Sequence, residues 1–185
     1  VIILALDLSF SRTGYAVDGF ESACPPRTGF WSPPGGGYIV GKAGHAYQSW
    51  LYRAIGDWNV ERVVYEAPAA GNTGGGIIMK ADLLEMLFGL AFSTQVIAWT
   101  REIPVGKAHV QTVRKHFLGH GRPKNPKKHV MERCKTLGWP VPNHDAADAA
   151  ALWCWAKATF DKSFRVETAS PLFGNAVERA ARSVA

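Results

Sequence analysis

Residues 2–20, IILALDLSFSRTGYAVDGF, decide how the chain is read. An apolar run rich in Ile and Leu, Ile2 to Leu8, is broken near its end by one acid, Asp7. A polar turn follows, Ser9 to Arg12, and residues 13–20 start a second strand, so the stretch predicts a β-hairpin. An ionised carboxylate at the edge of a core is costly unless it is paired or bound to a metal. Asp7 is therefore the first candidate for chemistry.

Working outward, the same pattern recurs. ERVVYEAP, 61–68, is a short β-branched run that ends at Glu66 and is stopped by Pro68. Asp145 and Asp148 fall in the first turns of an Ala-rich helix, three residues apart and so on one face. Four hard oxygen donors on separate rigid elements suit Mg²⁺ or Mn²⁺. Two such ions activate water and stabilise the leaving oxygen of a phosphodiester without any side-chain nucleophile. The only serines close by, Ser9 and Ser11, lack an obvious base and orienting group. Each acid also has a plainer reading: Asp145 complementing a helix dipole, Asp7 pairing with an Arg, Glu66 capping a loop. Their spacing as a set favours the metal reading.

Between these points the periodicity predicts helices over 41–58, 77–95, 109–118 and 125–137, and from Asn143, a plausible N-cap, to Phe160. A weaker strand is predicted around Ile103 to Val105, within 97–106. Residues 33–37 and AAGNTGGG, 69–76, read as loops, and one more helix is predicted near 174–183. With no repeat and no interior linker, the expectation is one α/β domain over 1–160, with 161–185 as its C-terminal extension.

The 185 residues fit a single domain, and a 47% hydrophobic fraction is ordinary for a chain with a core. No apolar run approaches the roughly 20 residues of a membrane span, and the first residues lack the basic leader of a signal peptide. A cytoplasmic protein is expected. Cys24, Cys134 and Cys154 are odd in number and outside any CxxC pair, against a disulfide framework or a zinc ribbon. The net charge is +6, and Lys107, Arg114, Lys115, Arg122, Lys124, Lys127, Lys128, Arg133 and Lys135 crowd one stretch with only Glu132 against them. That distribution suits a polyanionic partner.

LALDLSFSRTGYAV, then VVYEAP, then DAADAAALW resemble the three acidic motifs of the RuvC-type Holliday junction resolvases, within the ribonuclease H-like superfamily. Order, spacing and context agree over residues 2–160, DAADA being the most specific part. TVRKHFLGHGRPKNPKKHVMERC resembles the family's basic stretch before the last acidic helix. The resemblance implies a mixed central β-sheet flanked by helices, and metal ligation by Asp7, Glu66, Asp145 and Asp148. It implies phosphate contact by Arg114 or Lys115 and by Lys127 or Lys128, and hydrolysis that leaves a 5′-phosphate. It also implies a homodimer acting on branched DNA. The apolar helix 77–95 (Leu83, Leu84, Met86, Leu87, Phe88, Leu90) matches the family's dimer helix in position, with core packing as the plainer reading.

The chain departs from the family in its small Gly-rich loop 69–76, where resolvases often carry a wedge, in a longer basic loop at 120–126, and in its tail. These departures suit a divergent or phage-encoded member that accepts flaps and forks. His116 and His120 stand four apart without a second ligand pair, and His144 adjoins Asp145 as a metal or phosphate contact. Trp50, Trp58, Trp99, Trp139, Trp153 and Trp155 read as core residues, and Phe117 as the aromatic placed to stack on DNA. Gly74 to Gly76 lack the GK[ST] of a phosphate loop. Three rivals remain: an RNA-processing nuclease on the same fold, an actin-like ATPase fragment, and a binding module with a dead site. The actin-like reading requires a second lobe and a second phosphate hairpin.

Overall fold

The computed structural model describes residues 1–9, 11–19, 25–35, 40–68, 81–122 and 124–164. The hairpin forms as β1 (Ile3–Asp7) and β2 (Thr13–Val17), antiparallel, with Asp7 opposite Gly14. Its turn is closed by Thr13, whose Oγ1 donates to the Ser9 carbonyl at 2.9 Å. β3 (Arg27–Trp31) adds antiparallel to β2, and β4 (Arg62–Glu66) adds parallel to β1 on the other side. β5 (Val105–Ala108) completes a mixed five-stranded sheet of order β3-β2-β1-β4-β5. The helices are α1 (Val40–Asp57), α2 (Ala81–Thr100), α3 (Val110–Leu118), α4 (Pro126–Thr136) and α5 (His144–Phe160).

Successive strand residues alternate faces, and both faces are apolar. Leu4, Leu6, Val17, Val63 and Tyr65 pack with Tyr47, Leu51 and Ile55 of α1 and with Leu90, Ala91 and Ala98 of α2. Ile3, Ala5, Ala16 and Val64 pack on the opposite side with Val113, Phe117, Val130 and Trp153 from α3, α4 and α5. The central strands β1 and β4 carry no polar alternation because neither of their faces meets water. Helix α5 lies against the sheet over β1 and β2. Its alanines, Ala146, Ala147, Ala149, Ala150 and Ala151, are buried and let its backbone approach the strands closely.

Asn143 caps α5 as the sequence predicts, its side-chain oxygen accepting from the Ala146 N–H at 2.9 Å. Pro126 opens α4 at a position where the missing N–H costs nothing. Three boundaries differ from the sequence reading. β3 was not anticipated: RTGFW is short, contains a Gly and sits at the sheet edge, where alternation is weak. Helix α2 runs on to Thr100, past the predicted end at residue 95, and β5 begins at Val105, the last residue of the strand predicted around Ile103 to Val105. The loop 69–76, residues 77–80 of the helix predicted over 77–95, Cys24 and the helix predicted at 174–183 lie outside the described residues. Among the described residues, no helix is long and apolar enough to cross a membrane.

Candidate active site

The site is built from strand ends. In the parallel register Leu6 pairs with Tyr65, and the next step sets Asp7 beside Glu66. Both lie at the carboxyl ends of their strands and, by alternation, on the face covered by α5. The first turns of α5 bring Asp148 and Asp145 over that edge. Gly14 makes the approach possible: a methyl group there would collide with the Asp145 carbonyl oxygen and press on the Ala146 nitrogen. Only a glycine lets the β1–β2 hairpin and the start of α5 come this close.

The electrostatics record the convergence. Burial raises the Asp7 carboxyl well above the usual carboxylate range, and repulsion from Glu66, Asp148 and Asp145 raises it further. Glu66 is pushed up to about 7, first by burial and then by Asp148. Asp148 is raised as well, by burial and by Asp145. Arg114 opposes the rise at Glu66 and Asp148, and Lys127 opposes it at all three acids. These two cations therefore face the carboxylates. The Arg114 Nε is buried and has no hydrogen-bond partner, an unsatisfied charged donor beside the cluster of acids.

The neighbouring cations point elsewhere. Lys115 lines a separate open pocket of about 540 Å³ with Gln111, Thr112, His120, Gly121 and Arg122. Lys128 is exposed and lies 3.8 Å from Glu132 on its own helix. Of each pair named from the sequence, then, one member turns to the acids and the other does not. His144 is exposed and acts favourably on ionised Asp148. His116 turns inward, its Nε2 3.8 Å from the Cys154 sulfur, whereas His120 lies beside His129 with ring centres 6.5 Å apart.

Two aromatic expectations are corrected. Phe117 is fully buried and packs on Trp139 with ring centres 5.7 Å apart, so it cannot stack on DNA. Its helix has to bury Val113 and Phe117 on one side to leave Arg114 toward the acids. Trp99, read as a core residue, is 81% exposed on the outer side of α2. Sequence reasoning also passed over Arg12 and Phe30. The Arg12 Nε lies 2.5 Å from Asp145 Oδ2, and its guanidinium sits 5.4 Å from the centre of the exposed Phe30 ring. A basic residue in the turn after the first acid was the available signal for Arg12; nothing in RTGFW pointed to Phe30.

The donor set fits hard divalent cations: oxygen ligands only, buried and mutually repelling. Among the described residues, no three His, Cys, Asp or Glu side chains are grouped around a single point as ligands of one ion. Asp145, close enough to raise Asp7 and Asp148, is itself engaged by Arg12.

The chain superposes on RuvC of Thermus thermophilus with a TM-score of 0.64, over 86% of this chain and 96% of that one, at 15% identity. The fold is that of RuvC. A second structure of RuvC, in complex with a Holliday junction substrate, matches over 87% of this chain and 96% of that one, with a TM-score of 0.63 and 13% identity. The yeast mitochondrial Holliday junction resolvase Ydc2 matches with a TM-score of 0.59 and 10% identity, over 85% of this chain and 80% of that one. No family model matches the sequence, and no curated protein does. RuvC likeness at this identity is a likeness of fold. It bears out the α/β ribonuclease H-like architecture that the acidic motifs imply.

Proposed function

We propose that this protein is a divalent-metal-dependent endonuclease that hydrolyses phosphodiester bonds in branched DNA, acting on four-way junctions as a homodimer. The observation that carries the reading is the meeting of Asp7, Glu66 and Asp148 at one edge of the sheet, faced by Arg114 and Lys127. Carboxylates gathered this way repel one another, and divalent cations between them would relieve that repulsion with all of them ionised. Asp7, Glu66 and Asp148, joined by Asp145, would hold two Mg²⁺ or Mn²⁺ ions. Bound there, such ions supply a water of lowered pKa and neutralise charge on the phosphoryl oxygens.

The chain's own side chains hold the substrate. Arg114 and Lys127, both acting on the acids, would neutralise the backbone and set the scissile phosphate against them. Arg114, half-buried, and Lys127, exposed at the cleft, would also stabilise charge that builds on the phosphoryl oxygens and the departing oxygen. RuvC on a Holliday junction substrate is a precedent for this fold on branched DNA. The homodimer is supported by α2, where Phe88, Phe92, Val96 and Trp99 form an exposed apolar stripe at helical spacing. A second copy of the same helix is an occupant of matching chemistry.

The test is cleavage of matched four-way junction, flap, splayed fork and linear duplex with Mg²⁺ or Mn²⁺, beside the Asp148→Asn protein. Paired symmetric nicks on the junction, absent from the variant while its DNA binding persists, are expected. An active Asp148→Asn protein sinks the assignment, and cutting confined to RNA moves it to an RNA-processing nuclease.

A further inference from the structure

Asp145 differs from its three companions in one respect: it alone has an ion pair. Among the described residues no salt bridge is made by Asp7, Glu66 or Asp148, whereas Arg12 Nε lies 2.5 Å from Asp145 Oδ2. The pair is not part of the core. The Arg12 side chain is 45% exposed and Asp145 17%, so the guanidinium sits on the solvent side of the carboxylate. Beneath it lies Phe30, itself 45% exposed, with its ring centre 5.4 Å from the guanidinium carbon.

The backbone beside this pair is held at Gly14. Gly14, two residues after Arg12, is wedged against the Asp145 carbonyl and held opposite Asp7 and Phe30 by the sheet register. With Gly14 held, Arg12 leaves Asp145 most directly by turning its long side chain. A ring under the guanidinium gives it a second resting place, since Arg keeps its cation–π contact while its donors change partner. Its exposed side is open to solvent next to Asp145, so a phosphate can reach it.

We propose that Arg12 is a positioning residue that exchanges partners. In the free protein it neutralises Asp145 and keeps the fourth carboxylate from the cations; once cations claim Asp145, Arg12 stays on Phe30 and takes a DNA phosphate beside the scissile one. This rests on the metal-dependent, DNA-cutting reading given above. Two linked consequences follow. Arg12 and the cation compete for Asp145, so removing Arg12 tightens cation binding. Cations free Arg12 for phosphate, so they strengthen DNA binding, and the part of that gain carried by Arg12 disappears with it.

The experiment uses the full chain as wild type, Arg12→Ala, Arg12→Gln and Arg12→Lys. Mn²⁺ binding is titrated without DNA by electron paramagnetic resonance. Affinity for a labelled four-way junction is read by anisotropy in EDTA and in Ca²⁺, with gels to confirm that the junction stays intact. Arg12→Ala and Arg12→Gln should bind Mn²⁺ at least threefold tighter than wild type, while Arg12→Lys, which keeps the charge, stays near wild type. In EDTA the Ala variant should bind the junction within about twofold of wild type; in Ca²⁺ it should fall at least fivefold behind. Thermal melts identify a variant that has lost its fold, and the Gln variant then carries the comparison. Equal or weaker Mn²⁺ binding by both neutral variants overturns the exchange, as does an equal loss of junction affinity in EDTA and Ca²⁺. A wild-type protein that binds neither Mn²⁺ nor the junction overturns the functional reading beneath it; wild type binding both, with unchanged variants, removes only the role of Arg12.

Discussion

Glu66 shows how a single residue ties stability to function. Its carboxyl is pushed up to about 7 by burial and by Asp148, against 4.5 in an open chain. The folded state therefore binds this proton more tightly than the unfolded state does. Stability from this group is fully present below about pH 4.5 and is lost as pH rises through about 7. The shift sets an upper limit of about 3 kcal/mol at alkaline pH, shared with its coupled neighbours. Glu66→Gln should accordingly be more stable than wild type in EDTA at pH 8, by about 1–3 kcal/mol in urea unfolding, and near wild type at pH 5. A variant less stable at both values would show that Glu66 is held by pairing rather than strained by repulsion. Gly14 works at the same scale through shape. Gly14→Ala forces the hairpin and α5 apart, and overpacking of this kind costs about 1–3 kcal/mol. It should also lower junction cleavage at least tenfold, because it moves Asp145 and Asp148 relative to Asp7; wild-type cleavage rates from a folded variant would contradict that.

At the scale of elements, α5 is the part on which the rest is assembled. Its start carries two of the acids, and its far end is fastened to the sheet by a buried polar network. Lys157 Nζ donates to Asp18 Oδ2 and to the Val1 carbonyl, both at 2.8 Å, and to Asp161 Oδ2 at 2.6 Å. Asp18 Oδ1 accepts from Trp153 Nε1 at 2.8 Å and from the Ile3 N–H at 3.1 Å. Burial alone would lower the Lys157 pKa; its bonds to Asp161 and Asp18 outweigh this and raise it. The network joins the beginning of β1, the end of β2 and the last turns of α5, so it sets how far the helix slides along the strands. Asp18→Ala leaves a buried ammonium short of one partner and the Trp153 donor without any. It should destabilise the fold by about 3 kcal/mol in urea unfolding. The double variant Asp18→Ala/Lys157→Met should recover part of that loss; failure to recover any would mean that Asp18 acts through its bonds to Trp153 and Ile3 instead.

For the whole molecule the question is where DNA and a second copy sit. The acids, Arg114, Lys127 and Arg12 share the face covered by α3, α4 and α5, while the apolar stripe of α2 lies on the other side of the sheet. A partner on α2 therefore leaves the cleft open. Phe92, 67% exposed near the middle of the stripe, is the residue to charge. Phe92→Glu should shift sedimentation toward the monomer. On a junction it should turn paired symmetric nicks into single unpaired ones while cleavage of a flap continues. Unaltered sedimentation would place the dimer contact elsewhere.

The sequence by itself determined the elements with strong local periodicity and the points where acids interrupt them. The β1–β2 hairpin, β4, α1 and α5 follow from alternation, helical spacing and the Asn143 cap; Asp7 and Glu66 stand out as carboxylates ending apolar runs, Asp145 and Asp148 as a pair on one face at the start of an Ala-rich helix. β3 was illegible because an edge strand of five residues holding a Gly carries little pattern of its own; its neighbour β2 recruits it. Which of two adjacent cations faces the acids was equally hidden. Arg114 rather than Lys115, and Lys127 rather than Lys128, is decided by how far each helix rotates to bury Val113, Phe117 and Val130. The same rotation buries Phe117, and Trp99 stays outside because α2 presents only its inner side to the sheet. The Arg12–Asp145 pair joins residues 133 positions apart and exists only because Gly14 lets hairpin and helix touch. Local pattern identifies elements and their ends; long-range register and close packing decide which side chains meet.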